Sequence, residues 1–284
     1  LAQRLDEVAQ MEPAIEVRQQ LAATAARLPA SQAVPIINAN IIRDVDADDS
    51  RLTLLWWWAV ERHSVSGREE VLRRFTRASL WNSKLGRDFL LPRLLRRYAA
   101  EATPAGAEAV VRLLRAAPND IARQDMWASV WQGWQEQTGP AAERFRREIA
   151  PQAPLSEYVL AAWSAAPDTP ALTSLAIALG HDDAIHAARH DAFAVDTAES
   201  QRIAALAMLR QTNDRSLIAP ALDLIESPAS DAVKQAALAL VGRFDDSEVA
   251  ERLLIVHQTN ASDALKSKIR DVLFGRTANA QMLL

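Results

Sequence analysis

Apolar side chains recur along most of the chain at the three- and four-residue spacing of an α-helix, and no stretch shows the sustained alternation of a strand. Segment 203–209 is apolar nearly all round, which is typical of a helix that packs between two neighbours. A narrower buried stripe is predicted for Ile218, Ala221, Leu222 and Ile225. The pattern predicts an all-α fold.

The C-terminal part of the chain repeats its own sequence. Residues 200–231 and 232–263 read as one 32-residue unit written twice, with matching Ala-Ala-Leu-Ala motifs. Asp214 and Asp246 occupy equivalent polar junctions, where helix N-caps are needed. A self-repeat of this length predicts stacked helix pairs that each contact only their neighbours.

The N-terminal part repeats more loosely. Residues 1–150 give units of about 36 residues, within the range of HEAT-type helix pairs. Residues 151–168 hold an irregular extra helix bounded by prolines, and residues 169–284 follow the regular period of about 32 residues. We therefore expect one α-α superhelix, a HEAT-like repeat solenoid, over residues 1–284. Its N-terminal helices are predicted at 14–28, 31–43, 51–63, 67–78, 87–101, 104–116, 121–137, 140–149 and 154–166.

Positive charge and tryptophan are concentrated in one stretch. Residues 51–150 contain 17 Lys and Arg against 11 Asp and Glu, a local net charge of +6, although the whole chain carries −4. Seven of the eight tryptophans fall in the same stretch. This composition is typical either of tryptophans and arginine stems that fill gaps between helices, or of a surface that binds nucleic acid or an acidic partner.

Three consecutive tryptophans and several arginines form the candidate surface. Trp56, Trp57 and Trp58 advance by about 100° each around a helix, so they cannot all face one core. Packing is the favoured interpretation of the tryptophans in general, but at least one of these three is expected at a seam or on the surface. Arginine rows can engage carboxylates or phosphates. The candidate partner-binding residues are Trp56, Trp57, Trp58, Arg93, Arg96, Arg97, Arg144 and Arg147.

Several kinds of chemistry are excluded by what the chain lacks. Without cysteine it has no disulfide, thiolate zinc site, haem-attachment motif or cysteine nucleophile. The eight glycines are widely spaced, which excludes a P-loop and a dinucleotide-binding fingerprint. We predict no catalytic residue, no metal site and no cofactor, and hence no enzymatic activity of this chain.

Two short motifs imitate metal sites. His186 and His190 lie at i, i+4 with Asp182 one turn earlier, but alanine replaces the glutamate of an HExxH motif. A helix N-cap is the favoured role of Asp182 or its neighbour. The Asp-x-Asp-x-Asp-Asp run lacks the glycine and the bidentate glutamate of a calcium loop. We interpret it as a solvated loop in which Asp49 or Ser50 caps the tryptophan-rich helix.

Four segments together resemble a known family. They are VRQQLA to RLP at 17–29, DD at 48–49 with LLWWWAVE at 54–61, LLPRLLRRY at 90–98, and residues 236–246. In this order and spacing they resemble the HEAT-repeat region of the large PVC-type haem-binding, membrane-bound dehydrogenase-like proteins of bacteria, over nearly the whole chain. The resemblance implies a β-propeller, sugar-dehydrogenase-like part before the repeats and a c-type cytochrome part after them. No catalytic or haem-ligating residue carries over, because CxxCH is absent.

The expected function is a non-enzymatic scaffold that contacts a protein partner or neighbouring domains of the same polypeptide, as the spacer module of a larger bacterial redox protein. The alternative is a nucleic-acid-binding HEAT protein resembling the alkylpurine DNA glycosylases, which use tryptophans and arginines on a concave helical surface. The net charge of −4 counts against nucleic acid.

The location of the chain is predicted from the resemblance alone. The apolar run at 54–60 is far shorter than the ~20 residues of a bilayer-crossing helix, and no signal peptide is visible. Because the chain begins at Leu1 rather than methionine, we interpret it as an excerpt of a longer protein. The resemblance implies a periplasmic or exported location.

Overall fold

The computed structural model describes residues 2–259 and 262–275. Over these residues the regular secondary structure is helical and contains no strand, which confirms the all-α prediction. The chain divides into two compact units, Leu1–Leu175 and Ala176–Leu284. Each unit is a stack of paired helices.

The N-terminal unit contains the helices predicted from periodicity and two more. Its helices are α1 (Ala2–Met11), α2 (Ile15–Ala25), α3 (Ala30–Arg43), α4 (Ser50–Ser64), α5 (Arg68–Phe75), α6 (Ala78–Asn82), α7 (Leu91–Ala99), α8 (Pro104–Arg115), α9 (Asp120–Gln135), α10 (Gly139–Arg144) and α11 (Pro154–Ala165). π-Helical turns at Leu85–Leu90 and Phe145–Ile149 adjoin α7 and α10, and a 3-10 turn spans Ala150–Gln152. Helix α12 (Pro170–Ala178) contains the boundary between the units.

The helices of the N-terminal unit pack in two rows. Helices α2, α4, α7 and α9 contact one another in sequence and form the first row. Helices α1, α3, α5, α8 and α11 do the same and form the second row. Contacts between α2 and α3, α4 and α5, and α7 and α8 join the rows. A helix that contacts its partner and the helices before and after it is the packing unit of a helical repeat.

The C-terminal unit repeats the same arrangement with greater regularity. Its helices are α13 (Asp182–Phe193), α14 (Glu199–Leu209), α15 (Ile218–Glu226), α16 (Asp231–Val241), α17 (Ser247–Gln258) and α18 (Asp263–Phe274). Helices α14, α16 and α18 form one row, and α13, α15 and α17 form the other. The close pairs across the rows are α13 with α14, α15 with α16, and α17 with α18. The all-round apolar segment 203–209 lies in α14, which packs against both α13 and α16.

The 32-residue repeat is visible in the helix caps. Ser230 accepts a hydrogen bond from the Val233 N–H at the start of α16. Ser262 accepts the equivalent bond from the Leu265 N–H at the start of α18. Asp214 caps the short 3-10 turn before α15, and Asp246 caps α17, which confirms their predicted roles. Asp182 departs from its prediction, because it lies in the first turn of α13 after the N-cap position. Its negative charge still interacts favourably with the positive, N-terminal end of the helix dipole.

The acidic loop between α3 and α4 is partly buried rather than wholly solvated. Asp46 accepts hydrogen bonds from Arg18 Nε at 2.8 Å and from Trp56 Nε1 at 3.1 Å, and its side chain is almost fully buried. The interpretation of the whole run as a solvated loop is therefore wrong for Asp46. Asp49 accepts hydrogen bonds from the backbone N–H groups of Arg51 and Leu52, which confirms the predicted cap of α4.

Asp44 joins the end of α3 to the π-helical turn before α7. Its backbone φ is 59°, in the left-handed region that aspartate tolerates better than most residues. Its carboxylate accepts hydrogen bonds from the N–H groups of Lys84 at 2.6 Å and Leu85 at 2.8 Å, and from Ser83 Oγ at 2.8 Å. Burial opposes ionisation, but these hydrogen bonds outweigh it and hold the pKa of Asp44 below its ordinary value.

Asp44→Ala is expected to destabilise the N-terminal unit by about 2 kcal/mol at neutral pH, because charge-assisted hydrogen bonds to two N–H groups are lost. Asp44→Asn is the matched control, since asparagine tolerates the backbone angle and keeps one acceptor oxygen. A lowered pKa adds stability above the ordinary value of about 3.9, and this stability is lost as the pH falls through the folded-state pKa. Urea unfolding should therefore show the gap between wild type and Asp44→Asn closing at acid pH. A gap of constant size would contradict this role.

Candidate partner-binding surface

The three consecutive tryptophans of α4 point in three directions. Trp56 is fully buried, and its indole N–H donates a hydrogen bond to Asp46. Its prediction as a partner-binding residue is therefore wrong, because the side chain packs inside the unit. Trp57 is half-buried at the edge of the first row. Trp58 is 56% exposed. The prediction that at least one of them lies at a seam or on the surface is therefore confirmed by Trp57 and Trp58.

An open cavity lies on the side of the first row that carries Trp57. Its volume is about 310 Å³, at the lower end of the range for ligand pockets. Helices α4 and α7 supply most of its walls, and the residues that directly follow α7 and α9 complete them. The lining residues are Trp57, Glu61, Arg93, Arg96, Arg97, Ala100 and Glu136. Four of the predicted surface residues therefore meet at one place, which we call the Trp57 cavity.

Arg96 and Arg97 are each held by a glutamate. Arg96 forms an ion pair with Glu136, the residue that follows α9. The hydrogen bond from Arg96 to Glu136 raises the pKa of Arg96. Arg97 lies 3.5 Å from Glu101, one turn later along the chain. Glu101 also pairs with Arg68 of α5, so it links the two rows.

Arg93 has a different environment from its two neighbours. Its guanidinium carbon lies 3.4 Å from the centre of the Phe89 ring, and its Nη1 donates to the Phe89 carbonyl oxygen at 3.1 Å. Burial, and then the nearby charge of Arg96, lower the pKa of Arg93. Among the residues whose side chains the structure describes, no carboxylate lies within ion-pair distance of Arg93.

Arg144 and Arg147 do not line the Trp57 cavity. Arg144 ends α10, and Arg147 lies in the π-helical turn that follows. Both form ion pairs with Glu148, at 3.1 and 3.2 Å, and both side chains are about three-quarters exposed. The sequence prediction groups them with Arg93, Arg96 and Arg97 in one partner-binding surface, and only the latter three line the Trp57 cavity.

Sequence reasoning missed four residues of this site. Glu61 follows Trp57 by one helical turn, and Ala100 follows Arg96 by one turn, so helical spacing could have placed both. Phe89 precedes Arg93 by four residues and could have been found in the same way. Glu136 lies 40 residues after Arg96, and only the contact between α7 and α9 brings it there.

The two motifs that imitate metal sites do not assemble into one. His190 lies 3.5 Å from Asp191, and both side chains are largely exposed. Within the described residues there is no group of three or more histidine, aspartate or glutamate side chains that could hold a metal ion. No helix among these residues combines the length and the apolar character that a membrane crossing requires.

Comparison with protein-family models, with curated proteins and with solved structures found no match for this chain. The resemblance to the repeat region of PVC-type haem-binding proteins therefore stays a prediction from the four sequence segments. The two-row packing of helices and the Trp57 cavity are the observations from which a function can be argued.

Proposed function

We propose that this chain is a non-enzymatic helical-repeat scaffold of HEAT type, which contacts a protein partner or neighbouring domains of the same polypeptide. On the resemblance, it would be the spacer module of a larger bacterial redox protein that is exported from the cytoplasm. The observation that carries the proposal is the convergence of Trp57, Arg93 and Arg96 from successive helices of the first row.

The side chains around the cavity are those that protein interfaces favour. Tryptophan and arginine are enriched at the centres of protein–protein interfaces, where they contribute much of the binding energy. Trp58 adds a large exposed aromatic surface on the same helix as Trp57. Since α7 packs directly on both α4 and α9, the backbone that carries these residues is held by contacts within the chain. Such preorganisation reduces the entropy lost on binding.

Nucleic acid is the less favoured partner because most arginines of residues 51–150 are already paired. Arg68 pairs with Glu101, and Arg112 lies 2.8 Å from Glu69. Arg144 and Arg147 share Glu148. Binding to a phosphate backbone depends on cations that are free to replace counterions. Arginines that are neutralised in place, and spread over several helices, do not provide such a row.

Trp58→Ala is expected to lower partner capture from a native extract at least tenfold, because a truncated aromatic anchor commonly removes about 2 kcal/mol of binding energy. Its thermal stability should stay within about 0.5 kcal/mol of wild type, as for other exposed positions. Ile121→Ala is the matched control, since Ile121 is 72% exposed in the same row but lies on α9, not on the helix α4 that carries Trp57 and Trp58. Capture is quantified by the yield of the co-purified protein per mole of immobilised chain.

A further inference from the structure

We infer that the Trp57 cavity binds a carboxylate carried by an acidic protein segment, and that Arg93 is the residue that holds this carboxylate. The inference rests on the proposed scaffold function and specifies the chemistry of the partner. It is carried by the contrast between Arg93 and its neighbours Arg96 and Arg97, which are already paired.

The guanidinium of Arg93 is positioned before any partner arrives. The contact with the Phe89 ring and the hydrogen bond from Nη1 to the Phe89 carbonyl oxygen both restrain the group. Nε and Nη2 keep all their N–H groups for a further acceptor, and Nη1 keeps one. Two parallel N–H donors match the two oxygens of a carboxylate, which is the strongest common arrangement for an arginine.

The electrostatic state of Arg93 also favours an anion. The side chain is half-buried beside a second arginine, and both effects act against its positive charge. A carboxylate in the cavity would relieve both, because an opposite charge at short range stabilises the cation. Trp57 supplies an adjacent apolar wall on which the methylene groups of a glutamate or a neighbouring aliphatic side chain can pack.

The charges of the cavity fit a carboxylate better than a phosphate backbone. Glu61 and Glu136 line the same walls as the three arginines, so the lining side chains carry a formal net charge of only +1. A single carboxylate matches this charge. A polyanion would bring further negative charges towards Glu61 and Glu136, which disfavours it at short range. We therefore identify the ligand as an acidic peptide.

The test uses fluorescence anisotropy at about 0.15 M salt, where exposed charges are screened over about 8 Å. A labelled eight-residue peptide of alternating glutamate and leucine is titrated with the whole chain. We expect saturable binding to the glutamate peptide and none to its glutamine counterpart. Arg93→Gln should weaken binding about tenfold, which corresponds to about 1.4 kcal/mol. Glu61→Gln should strengthen it, since a competing carboxylate is removed. Free N-acetylglutamate should compete only weakly, because it lacks the apolar neighbours.

Arg144→Gln is the matched control, since it removes the same charge from an exposed arginine outside the cavity. It should change the affinity by less than about twofold, as expected for a screened surface charge. Equal losses in Arg93→Gln and Arg144→Gln would overturn the inference, because binding would then be unspecific charge attraction. Absence of binding to the glutamate peptide would overturn it as well, and so would tighter binding of single-stranded DNA.

One further variant and one comparison of measurements separate the possible failures. Arg93→Lys keeps the charge but loses the planar donors, so an affinity between those of wild type and Arg93→Gln is expected even if Arg93→Gln folds poorly. A chain that captures a partner through Trp58 but does not bind the peptide would leave the scaffold proposal intact and refute the carboxylate site. Loss of partner capture altogether would refute the scaffold proposal.

Discussion

Asp46→Ala is expected to lower the free energy of unfolding of the N-terminal unit by about 3–5 kcal/mol, the range for breaking one side of a buried ion pair. Arg18 is 7% exposed, so removal of Asp46 leaves a buried positive charge without its partner. The Trp56 indole N–H loses its acceptor at the same time. These groups belong to α2, α4 and the loop that precedes α4, so the loss falls on the packing of the first row.

The size of this effect is measured by urea unfolding, with two variants that separate charge from hydrogen bonding. Asp46→Asn keeps an acceptor for Trp56 but no charge, and should be less destabilising than Asp46→Ala. The double variant Arg18→Met, Asp46→Leu removes both charges and should recover part of the loss, because a buried pair can be replaced by apolar groups at little cost. A double variant less stable than Asp46→Ala would show that the pair is not the source of the effect.

Gly133→Ala is expected to destabilise the contact between α7 and α9 by about 1–3 kcal/mol through overpacking. A Cβ atom at this position would lie 2.2 Å from the carbonyl oxygen of Arg96 and 2.8 Å from Ala99 Cβ. The clashing oxygen belongs to backbone, so the two helices must move apart. The better helix propensity of alanine offsets about 1 kcal/mol of this penalty at most.

The same substitution should disturb the Trp57 cavity, because Arg96 and Glu136 approach each other across this helix contact. We therefore expect Gly133→Ala to weaken binding of the glutamate peptide as well as to lower the urea midpoint. Gly275→Ala is the control, since a Cβ atom there would lie 3.3 Å from the Asp271 carbonyl oxygen. Equal stabilities of the two variants would contradict the close packing of α7 on α9.

Much of the helical structure could be predicted because helix periodicity and capping are local. The periodic pattern predicts a helix over residues 51–63. Helix α4 spans Ser50–Ser64, and Asp49 is its N-cap. Helix α6 has only five residues, too few for a periodic pattern. The predicted helix at 87–101 begins instead at Leu91, after a π-helical turn. Pro92 has no N–H for the carbonyl four residues earlier, and Leu91 N–H donates to Gly86 five residues back.

The candidate site was only partly predictable because its members come from different helices. Arg93, Arg96 and Arg97 share one face of α7 by helical spacing, so sequence alone grouped them correctly. Their alignment with Trp57 depends on the packing of α4 against α7, which no local pattern states. The sequence also does not predict which arginines pair with distant glutamates. This pairing is what distinguishes Arg96, which pairs with Glu136, from Arg93.

The comparison of partner capture by Trp58→Ala and Ile121→Ala tests the scaffold proposal most directly. Both variants truncate an exposed apolar side chain on the first row, and only Trp58 belongs to the predicted partner-binding residues and shares helix α4 with Trp57. The account predicts that Ile121→Ala captures the partner as wild type does, whereas Trp58→Ala captures at least tenfold less at unchanged stability. Equal capture by the two variants, or a loss in Trp58→Ala that follows a lower melting temperature, would contradict it.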